Sequence, residues 1–250
     1  MSRVLISVRD LSEAATAIQC DADIIDFKDP QSGPLAPTTS EIWHQASQRF
    51  PNATLSAALG EANDAMRCAH LVPATFRYAK MGTQRMTSRQ ALITAWSSLP
   101  LASSIELVAV AYADHVAAEC LPVDDVLDAA IESGRQTLLI DTWHKRGKRL
   151  SDLLNAFELR HVIDAARQAG IDVMLAGSIT RHIAGTLVEN GIQPAGWGVR
   201  GDVCQPSHSQ NHRETSSDFE TTRMRRLCPR RVTDWIQWAR SISQPQPIEG

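Results

Sequence analysis

Apolar and polar positions alternate in blocks along this chain at a regular spacing. Eight short runs rich in Val, Ile and Leu fall at residues 4–8, 23–28, 54–59, 76–81, 105–112, 137–141, 172–176 and 196–200. Each is brief and nearly continuous, the pattern of a strand buried on both faces. Between them, apolar residues recur at helical spacing over 11–20, 39–49, 62–71, 88–98, 123–133, 157–169 and 179–190. Start and stop signals agree: Ser12 precedes Glu13, Thr39 and Ser40 precede Glu41, and Gly134, Gly170 and Gly191 follow three of the helical stretches. Apolar strands joined by helical crossovers imply a parallel sheet, and eight such units in 250 residues predict an α/β fold, a single (β/α)8 barrel of TIM type over residues 1–240. A doubly wound open sheet is the alternative. Against it, Ser7-Val8-Arg9-Asp10 follows the first strand where a dinucleotide fold would carry Gly-x-Gly-x-x-Gly.

The pattern breaks at 203–222, where Ser, His, Gln, Asn, Thr and Glu replace the apolar residues. Such a segment buries too little apolar surface to order itself and reads as a polar insertion. Its His208 and His212 stand at i, i+4, but no third ligand is identifiable and no metal is expected. Order returns at 232–239, where Trp235 and Trp238 share one helical face and are placed to close the outer layer. Residues 241–250 read as a frayed tail.

Composition narrows the class. With 43% apolar and 21% charged residues the chain is an ordinary globule, and a net charge of -3 gives no overall basic footprint for nucleic acid. The local run Arg223, Arg225, Arg226, Arg230 and Arg231 reads as a solvated helix face. Five scattered cysteines form no CxxC or CxxH pair, so neither a zinc site nor a disulfide framework is expected; Cys204 reads as a small core residue. The chain opens on a strand with no h-region, and no apolar stretch nears the roughly 18 residues a membrane helix needs. A cytoplasmic protein without membrane contact is the expectation. Self-association through the helical shell is a general tendency of barrels rather than something these residues specify.

Candidate chemistry comes from the lysines. Only four of the 25 basic side chains are lysine, and Lys28, Lys80 and Lys145 stand at or just beyond strand ends, whereas Lys148 lies in a basic loop. In a barrel the active site forms at the C-terminal ends of the strands, so these positions matter. The second strand ends Asp26-Phe27-Lys28, whose alternation puts Asp26 and Lys28 on one side; the fourth ends Lys80-Met81-Gly82; the sixth ends Asp141-Thr142-Trp143-His144-Lys145. A buried lysine beside another cation loses proton affinity, which is one route to a nucleophilic amine. After the seventh strand stand Gly177 and Ser178, and after the eighth Arg200 and Gly201. Small residues there expose N–H groups and a helix N-terminus to an anion, and Arg200 could add a bidentate contact, so a phosphate site is predicted. His144, beside Arg146 and Lys148, fits a solvated loop. These residues suit three classes: an imine-forming enzyme, a phosphate-binding decarboxylase or epimerase using the Asp-x-Lys pair electrostatically, or a silent sugar-phosphate-binding paralogue.

Taken in order from Val4 to Cys204, Ser7-Val8-Arg9-Asp10, the segment 22–30 with Gly33 and Leu35, Lys80 before Gly82, Asp141-Thr142 with Lys145, 175–178 and 198–201 resemble the (5-formylfuran-3-yl)methyl phosphate synthase family. The resemblance implies a class I aldolase-like barrel that condenses two glyceraldehyde 3-phosphate molecules into a phosphorylated furan aldehyde with loss of phosphate and water. Its product would feed biosynthesis of methanofuran-type one-carbon carriers, and no cofactor would be needed. By resemblance Lys28 forms the Schiff base, and Asp26, Lys80, Asp141 and Lys145 share proton transfer and substrate anchoring. The chain departs from the family pattern at Pro34, at Ala36-Pro37, at His144 where an acidic residue is common, and in the long polar stretch 203–222.

Overall fold

The computed structural model describes residues 2–144, 148–205 and 225–242. All eight apolar runs are strands: β1 (Arg3–Val8), β2 (Ile24–Phe27), β3 (Leu55–Glu61), β4 (Tyr78–Gly82), β5 (Glu106–Tyr112), β6 (Thr137–Asp141), β7 (Asp172–Leu175) and β8 (Gly196–Val199). They pair in chain order, all parallel, and β1 closes the ring by pairing with both β2 and β8. Closure leaves no unpaired sheet edge. The chain is therefore a (β/α)8 barrel and not an open sheet.

Among the described residues the α-helices outside the strands are α1 (Leu11–Gln19), α2 (Ser40–Arg49), α3 (Ala62–Cys68), α4 (Arg89–Ser98), α5 (His115–Ala118), α6 (Val123–Glu132), α7 (Leu150–Leu153), α8 (Ala156–Gln168), α9 (Arg181–Glu189) and α10 (Pro229–Ser241). Two of them, α5 and α7, escape sequence prediction because four residues complete barely one turn and carry no period. The cap of α1 also differs from expectation. Asp10, not Ser12, accepts the Glu13 N–H, since an N-cap oxygen must reach the third helical residue.

Alternation along each strand separates two apolar populations. Val4, Ile6, Val8, Ile25 and Phe27 point outward and pack with helix residues such as Trp43 of α2. Leu5, Ile24, Ala58, Val108, Val110, Leu139 and Met174 fill the barrel interior. The interior is thus a packed plug rather than a pore, with polar residues in the layers above and below it. The loop after β2 adds to this plug. Leu35 is buried among the interior residues, and its carbonyl accepts the Gly60 N–H at 2.7 Å while the Ala36 carbonyl accepts the Asp29 N–H at 2.8 Å. The Gly33–Pro37 segment is thereby folded onto the mouth.

The C-terminal segment returns to the end of β8. Leu227 forms an antiparallel bridge with Cys204, which is fully buried as the sequence indicated. Helix α10 then packs beside α1 and β1, with Trp235 and Trp238 in an edge-on pair at 5.2 Å and Trp197 of β8 at 6.0 Å from Trp238. The two tryptophans do close the outer layer. Among the described residues no helix is long and apolar enough to cross a membrane.

Candidate active site

A cavity of about 480 Å³ opens at the C-terminal ends of the strands. Its floor carries Asp26, Lys28, Lys80 and Asp141, contributed by β2, β4, β6 and the residue just after β2. Three strands therefore deliver to one space the groups that the sequence placed at strand ends. Lys145 and Arg146 lie outside the described residues, as do His208, His212, Arg223 and most of the polar stretch 203–222.

The strongest contact at the floor is between Lys80 and Asp26, with Nζ 2.6 Å from Oδ1 and both side chains essentially sealed from water. Asp26 also accepts the Ser56 hydroxyl at 2.9 Å and the Ser7 hydroxyl at 3.3 Å. Its oxygens thus meet one cation and two neutral donors, each from a different strand. Sequence alternation pointed to Asp26 and Lys28 as neighbours on one face; the barrel's curvature instead brings Lys80, two strands away, onto the carboxylate. Burial pushes the Lys80 amine below the ordinary lysine value of 10.5, the nearby Lys28 charge lowers it further, and Asp26 and Asp141 pull the other way. Desolvation wins because a charge in a dry interior loses more hydration than one neighbouring carboxylate returns.

Lys28 is only half-buried and faces the cavity, while Asp141 is buried at the end of β6 and accepts the Thr142 N–H at 2.7 Å. Behind the cavity lining, sequence reasoning missed a half-buried acid, Glu61. The register of β3 against β4 slips between Ala58 and Glu61, and this bulge turns Glu61 onto the Tyr112 hydroxyl at 2.8 Å and the Gln84 N–H at 2.8 Å. Burial raises the Glu61 carboxyl above its ordinary value despite both donors. A strand bulge leaves no mark in hydrophobic periodicity, so no signal was available.

The opposite wall is built from β7, β8 and the C-terminal segment. Gly177 and Ser178 both adopt left-handed backbone, with φ of 91° and 58°. A Cβ at Gly177 would lie 2.9 Å from the Thr142 methyl, so the turn packs tightly onto the end of β6. Ser178 and Gly201 line the cavity as the sequence placed them. Arg200 also lines it, but its terminal nitrogens are already engaged: Nη1 and Nη2 hold both oxygens of Glu13 at 2.9 and 3.2 Å, and Nη1 donates to the Ser7 carbonyl. The N-terminus of α9 is similarly occupied, because Asp202 accepts the Arg181 N–H at 2.9 Å. Glu13 binds Arg9 as well, and these guanidinium contacts hold its carboxyl below the usual range against the opposing effect of burial.

Four more cations stand here that the sequence did not assign to the site. Lys148, Arg149, Arg225 and Arg231 all line the cavity. The arginine run near the C-terminus is therefore not simply a solvated face, since the Cys204–Leu227 bridge folds two of its members over the mouth. The available signal was the absence of any acidic residue between 221 and 233, which leaves those arginines without local counter-ions. His144 is exposed, in keeping with a loop position, and its N–H and that of Trp143 donate to the Asp114 carboxylate at 2.7 Å each.

Fold and site together define a (β/α)8-barrel enzyme whose mouth combines buried amine–carboxylate chemistry with a cationic wall. The 4-HFC-P synthase family model matches residues 4–218, and the chain belongs to that family. It is 27% identical over 214 residues to the (5-formylfuran-3-yl)methyl phosphate synthase of Methanopyrus kandleri, covering 81% of this chain and 90% of the relative. The enzyme of the same name from Methanothermobacter thermautotrophicus is 28% identical over 211 residues, with 80% and 89% covered. Among solved structures, the YdjI aldolase from Escherichia coli K12 superposes with a TM-score of 0.60 at 12% identity, covering 96% of this chain and 90% of that one. Phosphoribosyl anthranilate isomerase from Thermotoga maritima gives 0.59 at 12% identity, with 96% and 100% covered. These two likenesses concern the fold alone.

Proposed function

We propose that this enzyme condenses two glyceraldehyde 3-phosphate molecules into (5-formylfuran-3-yl)methyl phosphate, with loss of phosphate and water, as a step toward a methanofuran-type one-carbon carrier. The observation that carries this reading is two amines in one cavity with unlike surroundings. Lys28 is half-open at the mouth, and Lys80 is sealed against Asp26 with its proton affinity lowered. An open amine can be reached by a carbonyl carbon; a sealed one cannot be approached so easily but can exchange a proton with its neighbours.

In this reading the Lys28 amine adds to a triose phosphate carbonyl, water leaves, and an iminium forms. The iminium withdraws electrons from the adjacent carbon and acidifies its C–H. Lys80, whose proton affinity burial lowers, accepts that proton in its neutral form, and Asp26 holds the resulting ammonium. Asp141 and Lys145 complete the proton traffic at the end of β6. The phosphate rests on the wall of Gly177, Ser178 and Gly201, with Arg200 fixing that wall through Glu13. A cytoplasmic location is part of this reading, and the chemistry requires no cofactor.

Borohydride reduction during incubation with glyceraldehyde 3-phosphate, followed by peptide mass spectrometry, tests the mechanism. A stable adduct on Lys28 is expected. An adduct on Lys80 instead, or turnover retained by Lys28→Arg, would sink the assignment.

A further inference from the structure

The wall of the cavity formed after β8 has a charge imbalance that the backbone turns do not use. Arg225 donates through Nη1 to the Gln205 carbonyl at 2.8 Å, and Arg231 through Nη1 to the Asp202 and Cys204 carbonyls at 2.8 and 3.4 Å. Neither guanidinium has a carboxylate within ion-pair distance among the described residues, and the Arg225 Nε–H is shut away from water with no acceptor. Main-chain carbonyls aim the two groups without neutralising them.

Neighbouring carboxylates do not close the gap. On this wall four cations, Lys148, Arg149, Arg225 and Arg231, face two acids, Asp152 and Asp202. Asp202 is tied to the Arg181 N–H and to the Trp235 indole N–H at 2.6 Å, and Asp152 accepts the Arg149 N–H at 2.8 Å. The nearby Arg200 is matched by Glu13. Among the described residues two positive charges remain in excess, the complement of a phosphate monoester dianion. At the N-terminus of α9 the Arg181 N–H is already taken by Asp202, so the cationic side chains add recognition to what the turns after β7 and β8 offer.

We propose that Arg225 and Arg231, supplied by a segment beyond the family match that ends at residue 218, form the guanidinium arm that recognises the phosphate monoester of the substrate and sets its specificity. The identity of that ligand rests on the triose phosphate reading above. Inorganic phosphate serves as the probe, titrated into the full chain by calorimetry, with Arg225→Gln, Arg231→Gln and an Arg230→Gln control. Arg230 is exposed on α10 and does not line the cavity, yet its substitution changes net charge equally.

The expected result is phosphate affinity weakened about tenfold or more by Arg225→Gln and by Arg231→Gln, since a hydrogen bond to a charged group is of that order. Arg230→Gln should leave it within about twofold of the parent. In turnover the loss should fall on KM for the triose phosphate more than on kcat. Unchanged phosphate affinity in both variants overturns the proposal, as does an equal loss in Arg230→Gln, which would make the effect one of bulk charge. Should Arg225→Gln fail to fold, Arg231→Gln against its neighbour decides alone, because Arg231 is exposed. If the parent makes no furan product, the reaction reading fails while the phosphate titration still decides the arm.

Discussion

At the residue scale, the molecule turns on two buried ionic contacts that make stability rise with pH in two different ranges. Lys80 is held below its ordinary value of 10.5, so the unfolded chain binds more protons between the folded value and 10.5. Stability therefore rises with pH across that interval. Lys80→Met should abolish that rise and, by stranding the Asp26 carboxylate in the interior, should cost about 3–5 kcal/mol near neutral pH. Urea midpoints measured from about pH 7 to about pH 10 would read both effects. Glu13 has the same sign in the acid range. Its folded value lies under 4.5, so its contribution is complete above 4.5 and is lost as pH falls through the folded value. Glu13→Gln should weaken the bonds to Arg9 and Arg200, lower stability by about 2–3 kcal/mol at neutral pH, and flatten the acid limb of the same denaturation series. A variant whose acid limb matched the parent's would show that Glu13 is not what holds Arg200.

At the scale of elements, the bulge between β3 and β4 is the clearest example of local geometry set by a neighbour. A Cβ at Gly82 would overlap the Glu61 carboxylate, which would have to leave the Tyr112 hydroxyl and the Gln84 N–H to make room. Gly82→Ala should therefore destabilise the chain by about 1–3 kcal/mol, the usual cost of overpacking. The same change made in a Glu61→Ala background should cost much less, since the colliding group is gone. Equal costs in the two backgrounds, read by a double-mutant cycle of chemical denaturation, would refute the steric account. Strand and helix existence was legible in the sequence because apolar runs and helical periods extend over several residues. The bulge was not, because it depends on one slipped register, and neither α5 nor α7 is long enough to repeat a period.

For the whole molecule, α10 is both a cover for the barrel and a support for the site. Trp235 packs on Trp238 and donates its indole N–H to Asp202, which in turn caps α9 at the cavity wall. Trp235→Ala should cost about 3–5 kcal/mol and Trp235→Phe, which retains most of the packing, about 1–3 kcal/mol. At this size each kcal/mol corresponds to about 2–4 °C in Tm, so calorimetric scans can separate the two. A Trp235→Phe variant with the parent's Tm would mean that the bond to Asp202 contributes nothing.

The sequence alone determined the eight-unit alternation and hence the barrel, because buried strands and amphipathic helices each write their own period into the chain. It also determined that Asp26, Lys28, Lys80 and Asp141 stand at strand ends, and therefore at one mouth once the barrel closes. Which of them touch was decided only by tertiary structure: closure brings β4 near β2, and Lys80 rather than Lys28 pairs with Asp26. The same holds for Glu13 on Arg200 and for Arg225 and Arg231 at the cavity, partners separated by much of the chain. Period and spacing report what a residue does within its own element. Contacts across elements depend on curvature, register and the return path of the C-terminal segment, and none of these has a local signature.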